Sequence, residues 1–208
     1  VIVDEMSMVD VALMHHLCKA LPRDCKLILV GDKDQLASVG AGNVLDDILT
    51  SGIIKVAMLT KIFRQNEDSL IITNAHLINE GKMPIINNSC KDFFFEEKTD
   101  TGSIKQSIVD MVARRLPTFT GLESSQIQVL APLKAGVCGI DNLNRSLQAT
   151  LNPPSIEKAE LVVGENIFRV GDKVMQTANN YNLVWKKMNS FIEEEGEGVF
   201  NGDIGFIE

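Results

Sequence analysis

Val1-Ile2-Val3-Asp4-Glu5-Met6-Ser7-Met8 and the later stretch Leu27-Ile28-Leu29-Val30-Gly31-Asp32-Lys33-Asp34-Gln35-Leu36 decide how this chain is read. Val1 to Val3 and Leu27 to Val30 are short, continuous apolar runs without alternation, the pattern of strands covered on both faces of a parallel sheet. Between them, Ser7 is placed to cap a helix from about Met8 to Leu21. Its Met14, Leu17, Cys18 and Leu21 share one face, and Pro22 ends it. Strand, helix and strand make a right-handed βαβ unit. Ligands of open α/β sheets bind just outside the carboxyl ends of the strands. Asp4, Glu5, Asp32 and Gln35 are therefore expected to converge on one crevice.

Such a crevice suits a nucleotide with its magnesium. A carboxylate at the tip of an apolar strand can hold Mg²⁺, directly or through its waters, while its neighbour orients or deprotonates an attacking water. That assigns the metal to Asp4 and the base to Glu5. An Asp-Glu pair alone fits the start of an ordinary loop equally well. Gln35 tips the balance, because a neutral amide near a γ-phosphate registers its presence without adding charge repulsion.

Here the residues resemble a family. Residues 1–8 look like a Walker B segment, and Leu29 to Leu36 looks like motif III of superfamily 1 helicases. Together they resemble the RecD-like, 5′-to-3′ branch. Phe63-Arg64-Gln65 is similar to its motif IV, and Ala131-Pro132-Leu133-Lys134-Ala135-Gly136 with Leu143-Asn144 is similar to its next block. Val199-Phe200-Asn201-Gly202-Asp203-Ile204-Gly205 resembles its late β segment. The matches keep the family's order along nearly the whole chain. The resemblance implies an α/β fold of RecA-like P-loop NTPase lobes followed by a small, Src-homology-3-like barrel segment. It assigns residues 1–59 to the first lobe, 60–153 to the second and 154–208 to the inserted barrel. It also implies that Arg64 contacts the γ-phosphate from the second lobe. Single-stranded DNA is expected near the loop holding Lys134 and Gly136, with Asn144 close behind and Lys134 a candidate phosphate contact. ATP and Mg²⁺ are the implied cofactors, and single-stranded and 5′-tailed duplex DNA the implied partners.

Composition sets the bounds. The 208 residues are 45% hydrophobic and 23% charged, enough for a sizeable core and too apolar for global disorder. The net charge of −8 argues against a broadly basic nucleic-acid surface but leaves room for a local track. Arg114-Arg115 and Lys186-Lys187 read as solvated faces, and Glu193 to Glu195 with Glu197 as an exposed loop. Cys18, Cys25, Cys90 and Cys138 have no paired spacing, and His15, His16 and His76 are not set among them. A zinc site is not indicated, and a reducing, cytoplasmic setting fits. No apolar run approaches the roughly 20 residues of a membrane span.

The remaining chain reads in order. Gly40 and Gly42 turn into a helix over about 44–50, and Val56 to Leu59 reads as a further buried strand. A helix follows over about 69–80, stopped by Gly81, and Phe93 to Phe95 reads as a strand. Ile104, Ile108, Val112 and Leu116 mark another helix, ended by Pro117. Gln126 to Leu130 is then a strand, a turn bearing Gly136 and Gly139 follows, and a helix carries Leu143, Leu147 and Leu151. Asn152-Pro153-Pro154-Ser155 signals a boundary. Beyond it come strands near 161–163, 167–170, 173–177 and 199–207, the last broken by Asn201-Gly202. Tyr181 and Trp185 suit either base stacking or a barrel core, and core is the preferred reading.

A P-loop, GxxxxGK[ST], is missing from the 208 residues. Together with an opening inside an apolar strand, this leads to the expectation of a piece of a longer protein, inactive alone. Ala37 departs from the family, where Pro often follows the Gln-Leu pair. The function expected is part of an ATP-dependent DNA helicase of the recombination and repair type, similar to an exodeoxyribonuclease V alpha subunit. The alternatives are the helicase part of a conjugative relaxase and a nucleotide-dependent DNA-binding protein that does not unwind.

Overall fold

The structure, a computed structural model, describes residues 1–59, 69–88, 91–189 and 192–208. Phe63, Arg64, Gln65 and Cys90 lie outside them. Contacts divide the chain into two compact units, Val1–Glu96 and Glu97–Glu208.

In the first unit, β1 (Ile2–Val3) runs parallel to β2 (Ile28–Leu29), with Ile2 opposite Ile28 and Val3 opposite Leu29. The Ile28 N–H donates to Val1 O at 2.9 Å and the Val30 N–H to Val3 O at 2.8 Å, extending the ladder at both ends. The crossover helix α1 (Val11–Ala20) is capped by Asp10, whose carboxylate accepts from the Leu13 N–H at 2.7 Å. This corrects the expectation that Ser7 caps it. Ser7 lies in a 3₁₀ turn, Met6–Met8, that bends the chain away from β1, and the helix starts only once that turn is complete.

Met6, fully buried, joins Val9, Val44 and Leu45 in the core, the last two from α2 (Val44–Ser51); Val3, Met14, Leu29, Ile48 and Leu49 pack against them. Burying a side chain such as Met6 contributes about 1.5–3 kcal/mol. The expectation of strands covered on both faces is not met. Val3 and Leu29 turn toward this core and are half-buried, whereas Ile2 and Ile28 are exposed. With period-two alternation, helices packed on one face leave every second residue uncovered.

Val56 to Leu59 and Phe93 to Phe95 form no strand, and Val56, Met58 and Leu59 are exposed. Among the described residues neither run finds a ladder partner, and β-formers without one stay irregular. At Phe95 a side chain stands in for the missing strand: Asn88 Nδ2 donates to Phe95 O at 2.9 Å and Asn88 Oδ1 accepts from the Phe95 N–H at 2.7 Å. Helix α3 (Leu70–Asn79) forms as expected, with Gly81 at φ 70° beyond it. Its buried Asn74 makes the same two-way amide pairing with the backbone of Ile85, at 3.0 and 2.7 Å.

In the second unit, α4 (Thr101–Asp110) starts on Asp100, whose carboxylate accepts from the Ser103 N–H at 2.7 Å. Pro117 does not end the helix. A π turn over Met111–Arg115 leads straight into α5 (Leu116–Thr120), whose first turn carries Pro117. There the missing N–H is least costly, and the widened turn before it relieves the clash of the ring with the preceding carbonyls. Arg114 pairs with Asp110 on the exposed face, as a solvated basic doublet should. Gln126 to Leu130 is not a strand: Gln126 ends a 3₁₀ turn, and Leu130 is exposed with no ladder.

Helix α6 (Ile140–Leu151) buries Leu143 and leads into the β region: β3 (Glu160–Val163), β4 (Asn166–Arg169), β5 (Lys173–Met175), β6 (Asn180–Asn189), β7 (Ile192–Val199) and β8 (Ile204–Phe206). All pairings are antiparallel: β3 with β4, β5 with β8, β6 with β7. The Asn201-Gly202 turn is present, with Gly202 at φ 96°, but the strands on either side of it pair elsewhere. The acidic run is strand rather than loop, because register sets Lys186 opposite Glu195 and Lys187 opposite Glu194, each a favourable cross-strand pair. Tyr181 is exposed, against the core reading, and meets Phe200 edge-on at 5.7 Å. Trp185 lies half-covered over Gly196, and its indole N–H donates to Gly198 O at 3.1 Å.

A polar cluster ties the end of α6 to these strands. Buried Asn152 donates to Val170 O at 3.1 Å and to Asp172 Oδ1 at 2.7 Å, while Gln148 reaches Ile167 O at 2.7 Å. Buried Arg169 donates to Glu160 Oε1 at 2.6 Å and to the Asn152 carbonyl. No helix among the described residues is long and apolar enough to cross a membrane.

Candidate nucleotide site

The site is built where β1 and β2 end side by side. Asp4 and Glu5 follow β1 directly, and both are exposed. Asp4 Oδ1 accepts from the Glu5 N–H at 2.9 Å, a bond that orients the carboxylate and leaves its remaining lone pairs available. Glu5 has a left-handed backbone, φ 56° and ψ 42°. A non-glycine residue there carries strain on the order of 1 kcal/mol or more, and such strain collects at functional sites. The next residue holds it in place: the Met6 N–H donates to Val30 O at 3.0 Å, and the Met6 side chain is wholly enclosed.

The opposing wall is the loop after β2. Gly31 presses against Met6 so closely that a methyl carbon there would lie 3.0 Å from Met6 Cβ, 3.0 Å from Met6 N and 3.1 Å from Leu45 Cδ2. Glycine suits this close approach, since any larger residue fits only if Met6 or Leu45 shifts. Asp32 then builds a turn on itself, its Oδ1 accepting from the Asp34 N–H at 3.0 Å and its carbonyl from the Gln35 N–H at 3.3 Å. Gln35, exposed overall, turns its amide oxygen to the Ser7 hydroxyl, which donates to Oε1 at 3.5 Å. The two strand tips are thus joined through Ser7 and Gln35 as well as through Met6 and Val30.

These groups suit a hard cation beside a phosphate. Asp4, Glu5 and Asp32 offer carboxylate oxygens and Gln35 an amide oxygen, the ligand type that Mg²⁺ takes. Among the described residues no three His, Cys, Asp or Glu side chains close around one point. Mg²⁺ needs no such cage, since it keeps several waters and takes one or two carboxylates plus substrate phosphates.

The sequence-expected residues divide into three groups. Asp4, Glu5, Asp32 and Gln35 flank the joined tips of β1 and β2. Arg64 lies outside the described residues. Lys134, Gly136 and Asn144 belong to the second unit, in and after the loop that opens α6. That loop folds back on the helix, with the Ile140 N–H donating to Leu133 O at 3.0 Å and the Asp141 N–H to Lys134 O at 3.1 Å. Gly139 permits the fold, since a methyl carbon there would come within 2.4 Å of Ala135 O. Lys134, Gly136 and Asn144 are all exposed, and Gly136 has φ 100°. Sequence reasoning missed Gly31 as a packing residue and Ser7 as part of the site. The sequence signal for Ser7 is a small polar residue set between Met6 and Met8 directly after the acidic pair.

The chain matches the AAA domain family over residues 1–99 and the ATP-dependent RecD-like DNA helicase SH3 domain family over residues 143–208. It is 32% identical over 206 residues to the ATP-dependent RecD2 DNA helicase of Deinococcus radiodurans, covering 99% of this chain and 25% of that protein. It is 27% identical over 217 residues to the RecBCD enzyme subunit RecD of Mycolicibacterium smegmatis, covering 100% and 36%. With the RecBCD enzyme subunit RecD of Buchnera aphidicola it shares 26% over 251 residues, covering 98% and 39%. The chain spans between a quarter and two fifths of the length of these curated relatives. An AAA-type segment with an acidic strand tip, running into a β segment that matches the helicase SH3 domain, places the chain in one family: it belongs to the RecD-like DNA helicases.

Proposed function

We propose that the full-length protein containing this chain is an ATP-dependent DNA helicase that moves 5′-to-3′ along single-stranded DNA and unwinds 5′-tailed duplexes in recombination and repair. One observation carries the reading: Asp4 and Glu5, at the tip of β1, stand beside the tip of β2, which the Met6 N–H holds through Val30 O and from which Gln35 reaches back to Ser7. Asp4 holds Mg²⁺, which when bound neutralises charge on the phosphate oxygens. Glu5 orients the attacking water and accepts its proton. Gln35 registers the γ-phosphate, and Arg64 supplies a bidentate cation to it. No P-loop occurs in the 208 residues, so the phosphate cradle comes from elsewhere in the full-length protein. Residues 1–59 form part of a first RecA-like lobe, 60–153 part of a second, and 154–208 part of an inserted barrel. The family matches at residues 1–99 and 143–208 support an AAA-type segment followed by an SH3-type segment. Lys134, Gly136 and Asn144 lie along the path of the DNA strand. The test is strand separation by the full-length protein on 5′-tailed and 3′-tailed duplexes, with ATP and with a non-hydrolysable analogue. Separation of the 5′-tailed duplex with ATP is expected. Tight binding without separation would leave a nucleotide-dependent binder and refute the motor.

A further inference from the structure

Ser7 is one of four buried polar or charged residues among those described, with Asn74, Asn152 and Arg169. The other three are locked to backbone groups by short hydrogen bonds. Ser7 instead directs its hydroxyl at a side chain 28 residues away, the amide oxygen of Gln35, at 3.5 Å. Its own place is rigid. Met6 and Val9, buried on either side, anchor the turn, and the Met8 N–H closes it on Glu5 O at 3.0 Å. Gln35 stands on an exposed loop and has room to adjust.

The chemistry of the pair follows from this asymmetry. A primary amide accepts at one end and donates at the other, and either end can face a given neighbour. A hydroxyl can donate or accept; here it donates to Oε1, which leaves Nε2 free to donate. A phosphate oxygen is an acceptor only, so that is the orientation a γ-phosphate needs. At 3.5 Å the contact is at the long limit of hydrogen bonding, where a shift of a few tenths of an ångström makes or loses it. Such a contact transmits the state of Gln35 to the turn that carries Glu5.

We propose that Ser7 is a positioning residue for ATP: its buried hydroxyl holds the Gln35 amide with the N–H₂ end toward the γ-phosphate and ties that amide to the Asp4-Glu5 turn. The role rests on the reading of Gln35 as the γ-phosphate sensor. The test uses the full-length protein with Mg²⁺ and measures the affinity for a non-hydrolysable ATP analogue relative to ADP. Ser7→Ala should lower this preference about three- to tenfold, the weight of one neutral hydrogen bond, and Gln35→Ala should lower it at least as far. The double variant should match Gln35→Ala alone. Loss of packing would weaken both nucleotides equally and leave the ratio unchanged. Ser7→Cys keeps the volume with a weaker donor; an intermediate ratio is expected, and it serves if Ser7→Ala does not fold. An unchanged ratio in the Ser7 variants beside a lowered one in Gln35→Ala overturns the role of Ser7 alone, as do losses that multiply in the double variant. An unchanged ratio in Gln35→Ala overturns the sensor reading itself, and the role of Ser7 with it.

Discussion

Gly31→Ala tests the architecture of the site without touching a group that meets nucleotide. The added methyl would lie 3.0 Å from both the Cβ and the backbone nitrogen of Met6 and 3.1 Å from Leu45 Cδ2. Leu45 can give way at its tip, but Met6 cannot, since its side chain is enclosed and its N–H is bonded to Val30 O. Relief must come from parting the turn after β1 from the loop after β2. Overpacking of this kind costs about 1–3 kcal/mol. Amide hydrogen exchange in the full-length protein reads this directly, through the peptide containing the Met6 N–H. Opening of that bond should become roughly 5- to 150-fold easier, at about 1.4 kcal/mol per factor of ten. Hydrolysis should fall as well, because Glu5 and Asp4 lie one and two residues before Met6. Exchange at Met6 and turnover both equal to the parent's would refute the claim that this contact holds the site together.

Other expectations follow from the same structure. Glu5→Gln should nearly abolish hydrolysis while sparing ATP binding, whereas Asp4→Asn should also weaken the magnesium-dependent part of the affinity; separate measurements of binding and turnover decide both. Residues 1–208 produced alone should not turn over ATP with or without single-stranded DNA, and DNA-stimulated turnover would show the site chemistry misread. Arg169→Leu should cost about 2 kcal/mol or more in denaturant unfolding. It would leave the Asn152 carbonyl and Glu160 without their donor, and Glu160 is open enough to water to keep the loss below that of a fully buried pair. The Ser103 and Gly102 N–H groups hold the Asp100 carboxyl below the usual carboxylate range. A lowered folded value means stabilisation that is complete above the unfolded pKa and lost as pH falls through the folded one. Exchange protection at the start of α4 should therefore weaken on acidification from about pH 5 to pH 2, and Asp100→Asn should flatten that dependence.

The sequence by itself determined the local chemistry. Apolar runs ending in Asp4-Glu5 and in Gly31 to Gln35 placed β1, β2 and their acidic tips. The periodicities around Leu70 to Ile78 and Leu143 to Leu151 placed α3 and α6. These signals are short-range, arising from side-chain pattern and residues adjacent in the chain. Tertiary structure alone decided which runs become strands: Val56 to Leu59 and Gln126 to Leu130 have the composition but find no ladder among the described residues, while the acidic run from Glu193 acquires one from the basic strand opposite. It also decided that Pro117 sits inside a helix, because a π turn can absorb what an α turn cannot. Ser7 is the sharpest case. As a residue between two methionines it fits a helix cap; only the folded chain buries it and brings its hydroxyl to Gln35, 28 residues away. Burial and contact between residues far apart in the chain are set by how backbones pack, and no local pattern encodes that distance.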